Sequence, residues 1–386
     1  MRNGLFLTIV ITFLATSCRF FDDGQPIEGF VTLKPGHFCQ LGAIAVSGDT
    51  IFVAGSYLAE DDPNADLPLV HSYYAAVDTN GKLLWEKFTR EPDYTRWLAI
   101  HNNQGILHMY GKISSPLANY VAEYYNAESS NGKLLNNYRE DDTIPQLLFD
   151  CQLNAQKQFT VIISRALKGP TGTCISKRNN DAVNGYTLNP NYCIEGDISC
   201  ARVLNDSMYM AFWGPIGTTE VVNIIKDIDS ILNLAVPPLL YKYMVNDVLE
   251  TAPLNYQLIT TSKNEQGPCV YTLSIPDSLY GEVTCLAYWP MHGSTKAMRY
   301  GNCTILAFNA SDSINITSAN AVILNRDNEV EWEYNHTGQA NFLISDMKLT
   351  HNKLFIGGTY ETGKEGSLMA VKILSLPNIA SCAVGN

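Results

Sequence analysis

Short apolar runs separated by turn residues fill most of this chain. Runs rich in Val, Ile, Tyr and Phe alternate with Gly, Asn, Asp and Ser, and no long stretch has the 3.6-residue period of an amphipathic helix. The first clear unit reads AIAVSGDTIFVAG (43–55) and YYAAVDTNGKLLWEKF (73–88), which predicts four strands, a to d in order. The pattern therefore predicts an all-β fold.

The four-strand unit recurs seven times along the chain. Its second strand ends at intervals of 46 to 56 residues, at Gly55, Gly111, Ser164, Gly214, Thr260, Asn309 and Gly358. Four antiparallel strands in about fifty residues form one blade of a β-propeller, and the apolar faces of a blade are covered only by neighbouring blades. We therefore predict a single seven-bladed β-propeller domain over residues 29–386.

The two ends of this domain predict how the ring closes. The seventh unit lacks a clear fourth strand after Leu374, and GFVTLK (29–34) is a strand candidate with no unit of its own. We predict that residues 29–34 complete the last blade. Cys39 and Cys382 would then lie close together, and we expect a disulfide between them to lock the closure.

A second cysteine pair is predicted within one hairpin. Cys269 and Cys285 lie at equal distances from Asp277, in a predicted c–d turn, so they should face each other across the two strands. Two alternatives remain for this pair: a disulfide, or two reduced and buried cysteines.

The first residues predict an exported protein. Arg2 is followed by an apolar run over 5–15, which is shorter than the roughly 20 residues needed to span a bilayer. A charged start, a run of this length and small residues before a break are typical of a secretory signal, here residues 1–17. Residues 18–28 would form a tether. An uncleaved anchor or a buried helix is the alternative.

The residues around the break resemble those of bacterial lipoproteins. Ala15-Thr16-Ser17-Cys18 is similar to a lipobox, although its leucine, Leu14, lies one place early. The resemblance implies that Cys18 carries lipid, including an acyl chain such as palmitate. Asp22-Asp23 resembles the export signal of surface-displayed Bacteroidota lipoproteins, with a solvated tether as the alternative. These features predict a lipid anchor in the outer membrane, with display at the cell surface as a further possibility.

Two predicted hairpins resemble those of quinoprotein-type (PQQ-like) propeller repeats, in which D-x-x-G-K-x-x-W recurs. AAVDTNGKLLWEKF (75–88) matches the pattern well and ILNRDNEVEWEY (323–334) more loosely. Asp78 and Asn80-Gly81 would form the tight turn, and Trp85 or Trp332 would pack between blades. The resemblance implies the fold and not an activity, because propellers support unrelated functions. The sequence lacks a quinone signature, so no cofactor is expected.

Charge and loop composition suggest where a ligand would bind. The formal net charge of −12 disfavours nucleic acid and gives no general attraction to anionic lipid. The b–c and d–a loops of a propeller share one rim, where a basic partner or a cation could bind an acidic cluster and a partner could stack on aromatics. For the acidic cluster, the alternative is that the charges only keep the protein soluble. For the aromatic residues, the alternative is packing within the blades. The candidate ligand face comprises Asp61, Asp62, Asp66, Asp141, Asp142, Tyr288, Trp289 and His292.

Metal binding and catalysis have weaker signals. The loop DDPNAD (61–66) alternates oxygen ligands but has Leu67 and Tyr73 where an EF-hand loop has Gly and Glu, so calcium is a minor alternative. The chain contains no HExxH, GxSxG, GxxxxGK[ST] or GxGxxG motif. The sequence favours a binding or scaffold propeller for a protein or glycan. The alternative is an envelope enzyme, such as a glycan-active hydrolase or lyase, with its site in the central funnel.

A tripeptide of Asp, Ser or Thr, and an apolar residue recurs six times. It resembles the O-glycosylation acceptor motif of exported Bacteroidota proteins, and turn chemistry at hairpins is the alternative reading. The acceptor hydroxyls would be Thr50, Thr143, Ser207, Ser230, Ser278 and Ser313.

Overall fold

The computed structural model confirms the all-β class. Its described residues are 29–58, 70–88, 94–115, 118–139, 146–153, 159–165, 172–178, 187–195, 198–205, 208–213, 221–226, 230–235, 243–253, 255–262, 268–274, 279–286, 295–311, 317–336, 341–362 and 366–383. Every strand in these ranges belongs to a four-stranded antiparallel sheet. The only helical element there is a 3-10 turn, Ala380–Cys382. No helix in this part of the chain has the length and apolar character to cross a bilayer.

We number the sheets in chain order, each from its first to its last strand. Sheet 1 contains β2 (Cys39–Ser47), β3 (Thr50–Leu58), β4 (Val70–Asp78) and β5 (Leu83–Phe88). Sheet 2 contains β6 (Tyr94–Asn103), β7 (Ile106–Ser115), β8 (Ala118–Glu128) and β9 (Leu134–Arg139). Sheet 3 contains β10 (Gln146–Leu153), β11 (Phe159–Arg165), β12 (Gly172–Arg178) and β13 (Thr187–Glu195).

The remaining sheets repeat this order. Sheet 4 contains β14 (Ile198–Asn205), β15 (Met208–Trp213), β16 (Val221–Lys226) and β17 (Ser230–Ala235). Sheet 5 contains β18 (Tyr243–Ala252), β19 (Asn255–Ser262), β20 (Cys269–Ser274) and β21 (Leu279–Cys285). Sheet 6 contains β22 (Lys296–Tyr300), β23 (Cys303–Ser311), β24 (Thr317–Leu324) and β25 (Val330–Asn335). Sheet 7 contains β26 (Phe342–Thr350), β27 (Lys353–Glu361), β28 (Ser367–Ser375) and β1 (Phe30–Leu33).

The first strands of successive sheets lie beside one another. Contacts join β2 to β6, β6 to β10, β10 to β14, β14 to β18, β18 to β22, β22 to β26, and β26 to β2. Most of these strands contain a β-bulge, as at Gly42 in β2. A Cβ on Gly42 would lie 2.2 Å from the carbonyl oxygen of Trp97 in β6, so only glycine allows this close approach of the two sheets.

The hydrophobic core lies between the sheets. In β3, Phe52 packs with Trp97 towards sheet 2, whereas Val53 packs with Phe355 and Val371 towards sheet 7. Successive strand residues point to opposite faces, so the alternating pattern covers both faces of sheet 1. Similar clusters lie between sheets 5 and 6 and between sheets 6 and 7.

The N-terminal strand forms the fourth strand of sheet 7, as its sequence pattern predicted. β1 pairs antiparallel with β28, with Val31 opposite Val371. The ring of Phe30 lies 5.0 Å from that of Phe342, and the Lys372 Nζ lies 4.8 Å from the Phe30 ring centroid. Aromatic and cation–π contacts therefore support the backbone pairing.

The structure shows a different disulfide at the C-terminus from the one expected. Cys382 is bonded to Cys303, and Cys39 keeps a free, buried thiol, so the expectation of a Cys39–Cys382 bond is wrong. The Cys39 amide donates to Ser367 at the start of β28, whereas Cys382 follows the far end of that strand. At about 3.3 Å per residue the two ends of β28 lie roughly 25 Å apart, far beyond disulfide reach. For the second pair, the structure contains the Cys269–Cys285 disulfide, one of the two alternatives.

Candidate functional site

The predicted ligand face lies outside the described residues. This is true of all its members: Asp61, Asp62, Asp66, Asp141, Asp142, Tyr288, Trp289 and His292. Cys18 and four of the acceptor hydroxyls, on Thr143, Ser207, Ser278 and Ser313, also lie outside. Thr50 and Ser230 are the first residues of β3 and β17, where turn chemistry would place them. The ligand face and these acceptor sites therefore stay predictions.

The described residues contain an aromatic site at one end of sheet 1. We call it the aromatic row: Phe38, Tyr57, His71, Tyr73 and Phe88. These residues lie at the start of β2, the end of β3, the start of β4 and the end of β5. Because antiparallel strands bring those termini to the same edge, the row follows the sheet from its first strand to its last. With neighbouring strands about 4.8 Å apart, it spans roughly 14 Å.

The middle of the aromatic row is packed and its two ends are exposed. Tyr57 lies 5.5 Å from His71 and 5.6 Å from Phe88 between ring centroids, and Tyr73 lies 5.2 Å from Phe88. Tyr57 and Tyr73 are buried, whereas 56% of Phe38 and 44% of Phe88 is accessible to solvent. Exposed rings on a rigid, packed base offer a stacking surface for a partner.

Two polar groups within the aromatic row have distinct environments. The Tyr73 hydroxyl donates a hydrogen bond of 3.0 Å to Glu86. Burial, followed by the negative charge of Glu86, raises the pKa of Tyr73, so this hydroxyl stays protonated as a donor. The Nδ1 atom of His71 is buried and has no hydrogen-bond partner among the described residues. A ligand or water that reaches this nitrogen would satisfy it.

The connection that follows β3 joins the aromatic row to the acidic segment predicted as a ligand face. β3 ends at Leu58, one residue after Tyr57, and β4 begins at Val70. Asp61, Asp62 and Asp66 belong to the intervening connection. The aromatic row is therefore next in the chain to this predicted part of the ligand face.

Two carboxylates in the first strands of their sheets link neighbouring sheets. Asp247 in sheet 5 accepts hydrogen bonds from the Arg202 guanidinium of sheet 4, with an Nη2–Oδ2 distance of 2.7 Å, and from the Ala297 amide of sheet 6 at 2.8 Å. Asp346 in sheet 7 accepts from the Ile44 amide of sheet 1 at 3.0 Å. Both aspartates follow a β-bulge in the first strand of their sheet. Their lone pairs are used to hold sheets together.

The charge state of Asp346 is set by competing effects. Burial raises its pKa, but the positive charges of Lys348 and Lys296 and the hydrogen bond from Ile44 outweigh burial and hold the pKa below its usual range. The Lys348 Nζ lies 3.1 Å from Asp346 Oδ2. Asp346 is therefore a stable carboxylate rather than a proton donor near neutral pH.

The free thiol of Cys39 is not suited to nucleophilic chemistry. Burial raises its pKa to about 11, an effect that a backbone hydrogen bond at Gly36 and the charge of Lys34 only partly offset. The thiolate is the reactive form of cysteine, and this site disfavours it. No group of three or more His, Cys, Asp or Glu side chains that could hold a metal occurs within the described ranges.

Comparison with solved structures identifies the class of fold. The chain is a β-propeller: it aligns with YCF48 bound to D1 peptide at a TM-score of 0.54 and 9% identity, covering 92% of this chain and 96% of that one. It also aligns with a puromycin-hydrolysing peptidase of Mycobacterium tuberculosis at a TM-score of 0.54 and 10% identity, covering 88% and 55%. A prolyl endopeptidase gives 0.51 and 8%, covering 89% and 51%. The chain thus spans about half the length of these two peptidases.

These likenesses concern the fold alone, because the identities are so low. No protein-family model and no curated protein matches the chain. These likenesses therefore do not show what the site binds.

The sequence pattern alone does not identify the aromatic row. The sequence pattern ends strand b at Gly55 and begins strand c at Tyr73, so Tyr57 and His71 fall between the two predicted strands. The available signal was that strand b ends, strand c begins and strand d ends at the same rim.

Proposed function

We propose that this protein is a seven-bladed β-propeller that binds a protein ligand at the cell envelope as a scaffold or receptor module. The observation that carries the proposal is the aromatic row, with Phe38 and Phe88 exposed at either end of a packed sheet edge. A row of roughly 14 Å is long enough for about four extended residues of a peptide. YCF48, a propeller of similar extent, has been solved with a peptide bound, which supports a protein ligand over a glycan.

The proposal includes a closed ring of seven blades. Its support is the sequence of contacts from β2 through the first strand of every sheet and back from β26 to β2. The pairing of β1 with β28 supports closure by the N-terminal strand.

The proposal also includes export and a lipid anchor at Cys18 in the outer membrane. It rests on residues 1–18, whose apolar run and lipobox-like end are typical of lipoproteins. Labelling cells with a lipid precursor should mark the wild-type chain and leave Cys18→Ala unlabelled. Equal labelling of both chains would exclude Cys18 as the anchor, and protease treatment of intact cells would report surface display.

A pull-down from detergent-solubilised envelopes tests the binding role. The wild type should retain one stoichiometric protein, and the double variant Phe38→Ser, Phe88→Ser should lose most of it. Val330→Ser is the matched control, because Val330 is also exposed but lies on the outer strand of sheet 6. Unchanged urea midpoints would show that the variants fold. Retention of the partner by the double variant would reject the aromatic row as the site, and turnover of a glycan by the purified chain would favour the enzyme alternative.

A further inference from the structure

A second exposed apolar surface lies on the outer edge of sheets 1 and 2. We call it the basic–apolar rim: Lys82, Leu83 and Leu84 of one hairpin, and Lys133, Leu134 and Leu135 of the next. The four leucines are 41% to 48% exposed. They are four of the seven large exposed hydrophobic residues in the described part of the chain. Such clustering marks an interaction surface more strongly than scattered apolar residues do.

The two hairpins present their leucines in the same way. In sheet 1, Leu83 is opposite Val77 and Leu84 is the extra residue of a bulge. In sheet 2, Leu134 is opposite Ala127 and Leu135 is the extra residue. Because both leucines of each pair lie at a bulge on an outermost strand, they point away from the sheet core.

Direct contacts hold the two hairpins side by side. Trp85 donates from Nε1 to the Ser129 carbonyl at 3.0 Å, and the Tyr74 hydroxyl donates to the Gly132 carbonyl at 3.2 Å. A Cβ on Gly132 would lie 2.6 Å from the Trp85 ring, so the turn of sheet 2 rests directly on sheet 1. The basic–apolar rim is therefore one rigid surface.

The charge of this surface contrasts with that of the acidic chain. Lys82 and Lys133 are exposed, as is Lys87 farther along β5, and none of the three forms an ion pair within the described residues. The equivalent hairpin of sheet 6 has Glu329, Val330 and Glu331 in the same positions. Screening limits exposed charges to about 8 Å at physiological salt, so a local basic surface can act despite the net negative charge.

The path of the chain brings the rim close to the proposed anchor. β1 is the outer strand of sheet 7, and a Cβ on Gly81 would lie 4.0 Å from the side chain of Val31. The turn that begins the rim is thus adjacent to the strand where the chain arrives from Cys18. Ten residues lie between Cys18 and Gly29. They span at most about 40 Å, which keeps this side of the propeller near any bilayer that holds the lipid.

From these observations we infer that the basic–apolar rim rests on the phospholipid surface, with the leucines among the upper acyl chains and the lysines at headgroup phosphates. Lysine next to bulky apolar residues is typical of surfaces that lie in the membrane interface. A single acyl chain gives only marginal attachment, and a second contact strengthens it. The inference rests on the proposed anchor and adds an orientation: the outer edge of sheets 1 and 2 that carries the rim faces the bilayer.

Vesicle binding by the full chain with Cys18→Ala tests the rim without the lipid. The vesicles contain phosphatidylethanolamine and phosphatidylglycerol at about three to one, which supplies anionic headgroups for the lysines. Leu84→Asp with Leu135→Asp should weaken binding at least tenfold, as should Lys82→Glu with Lys133→Glu. Val330→Asp, at the matched position of sheet 6, should bind like the parent chain. Urea midpoints verify that each variant is folded.

Hydroxyl-radical footprinting of the wild-type, Cys18-containing chain in the same vesicles detects the contact between the rim and the lipid directly. Oxidation of the four rim leucines should fall at least threefold relative to detergent solution, while oxidation at Val330 stays unchanged. Equal oxidation at both sites would overturn the inference, as would equal vesicle binding by all variants. If the rim variants keep vesicle binding but lose a protein partner, the inference is wrong and the rim binds that protein instead.

The two proposals can fail separately. If lipid-precursor labelling marks Cys18 but the rim variants bind vesicles like the parent, the anchor stands and the inference falls. If Cys18 is unlabelled and the rim variants still lose vesicle binding, the rim contact stands and the anchor falls.

Discussion

At the scale of single residues, the inter-sheet aspartates decide how sheets are joined. Asp346 follows a bulge in the first strand of sheet 7 and reaches the Ile44 amide in the first strand of sheet 1. Asp247 makes the same kind of link between sheets 5 and 6. The bulge turns the following side chain towards the neighbouring sheet, so a local irregularity of the strand becomes a tertiary contact.

Replacing Asp346 by Asn should lower stability in a pH-dependent way. The folded-state pKa of Asp346 lies below its unfolded value of about 3.9, so its stabilisation is complete above that pH and disappears as the pH falls through the folded pKa. At pH 7 we expect a loss of about 1–3 kcal/mol in the free energy of unfolding. Urea titrations at pH 7 and between pH 4 and about 2 measure this difference, which should shrink with acid.

The matched control for this experiment is Asp327→Asn. Asp327 is an exposed carboxylate in the turn before β25, and its loss should change stability by less than about 0.5 kcal/mol. A pH-independent loss for Asp346→Asn would contradict the charge-based account and point to packing alone.

At the scale of elements, the last hairpin of a sheet is specified by its turn. Asp78 Oδ1 accepts from the amides of Asn80 and Lys82, each at 2.9 Å. Asn325 Oδ1 does the same for Asp327 and Glu329 in sheet 6. An acceptor at this position thus organises the turn whether or not it is charged.

This equivalence predicts different outcomes for two substitutions of Asp78. Asp78→Asn should be tolerated within about 0.5 kcal/mol, because the amide oxygen can accept both bonds, whereas Asp78→Ala should cost about 1 kcal/mol or more. Urea midpoints of the two variants give the comparison. Equal losses for Asn and Ala would mean that charge, not the turn hydrogen bonds, stabilises the hairpin.

At the scale of the whole molecule, the proposed ring depends on the seam between sheets 7 and 1. Val31 of β1 packs in the cluster shared by these two sheets, together with Val53 and Phe355. A closed ring would have no uncovered sheet face, so damage at the seam should affect the sheets on both sides of it.

Val31→Asp tests this coupling by hydrogen exchange. A buried, unpaired carboxylate should open the seam, and amides of β2, β3 and β26–β28 should exchange at least tenfold faster than in the wild type. Amides of β18–β20 in sheet 5 should change less, because they lie away from the seam. Val330→Asp, an exposed position, is the control. Acceleration confined to β1 and β28 would argue against closure through the N-terminal strand.

Several parts of the fold could be predicted because their signals are local. The second strand of each unit, the turn at Asp78 and the facing positions of Cys269 and Cys285 depend on residues close in sequence. The pairing of β1 could also be predicted, because the last unit lacked a strand and residues 29–34 had no other partner.

The partner of Cys382 could not be predicted in this way. The direction of β28 sets which end of the molecule the C-terminal turn reaches. The sequence pattern does not show which end this is. The aromatic row and the basic–apolar rim were also difficult to predict, because each collects residues from separate strands.

By itself, the sequence determined an all-β chain of repeated four-stranded units, because alternation and turn chemistry act over a few residues. The tertiary structure alone decided which strand ends meet. It placed Tyr57, His71 and Phe88 along one edge, brought two Lys-Leu-Leu hairpins side by side, and set Asp346 against the amide of Ile44. The physical reason is that these contacts arise from the packing of one sheet against another and from the common edge of four strands, both of which exist only once the chain is folded.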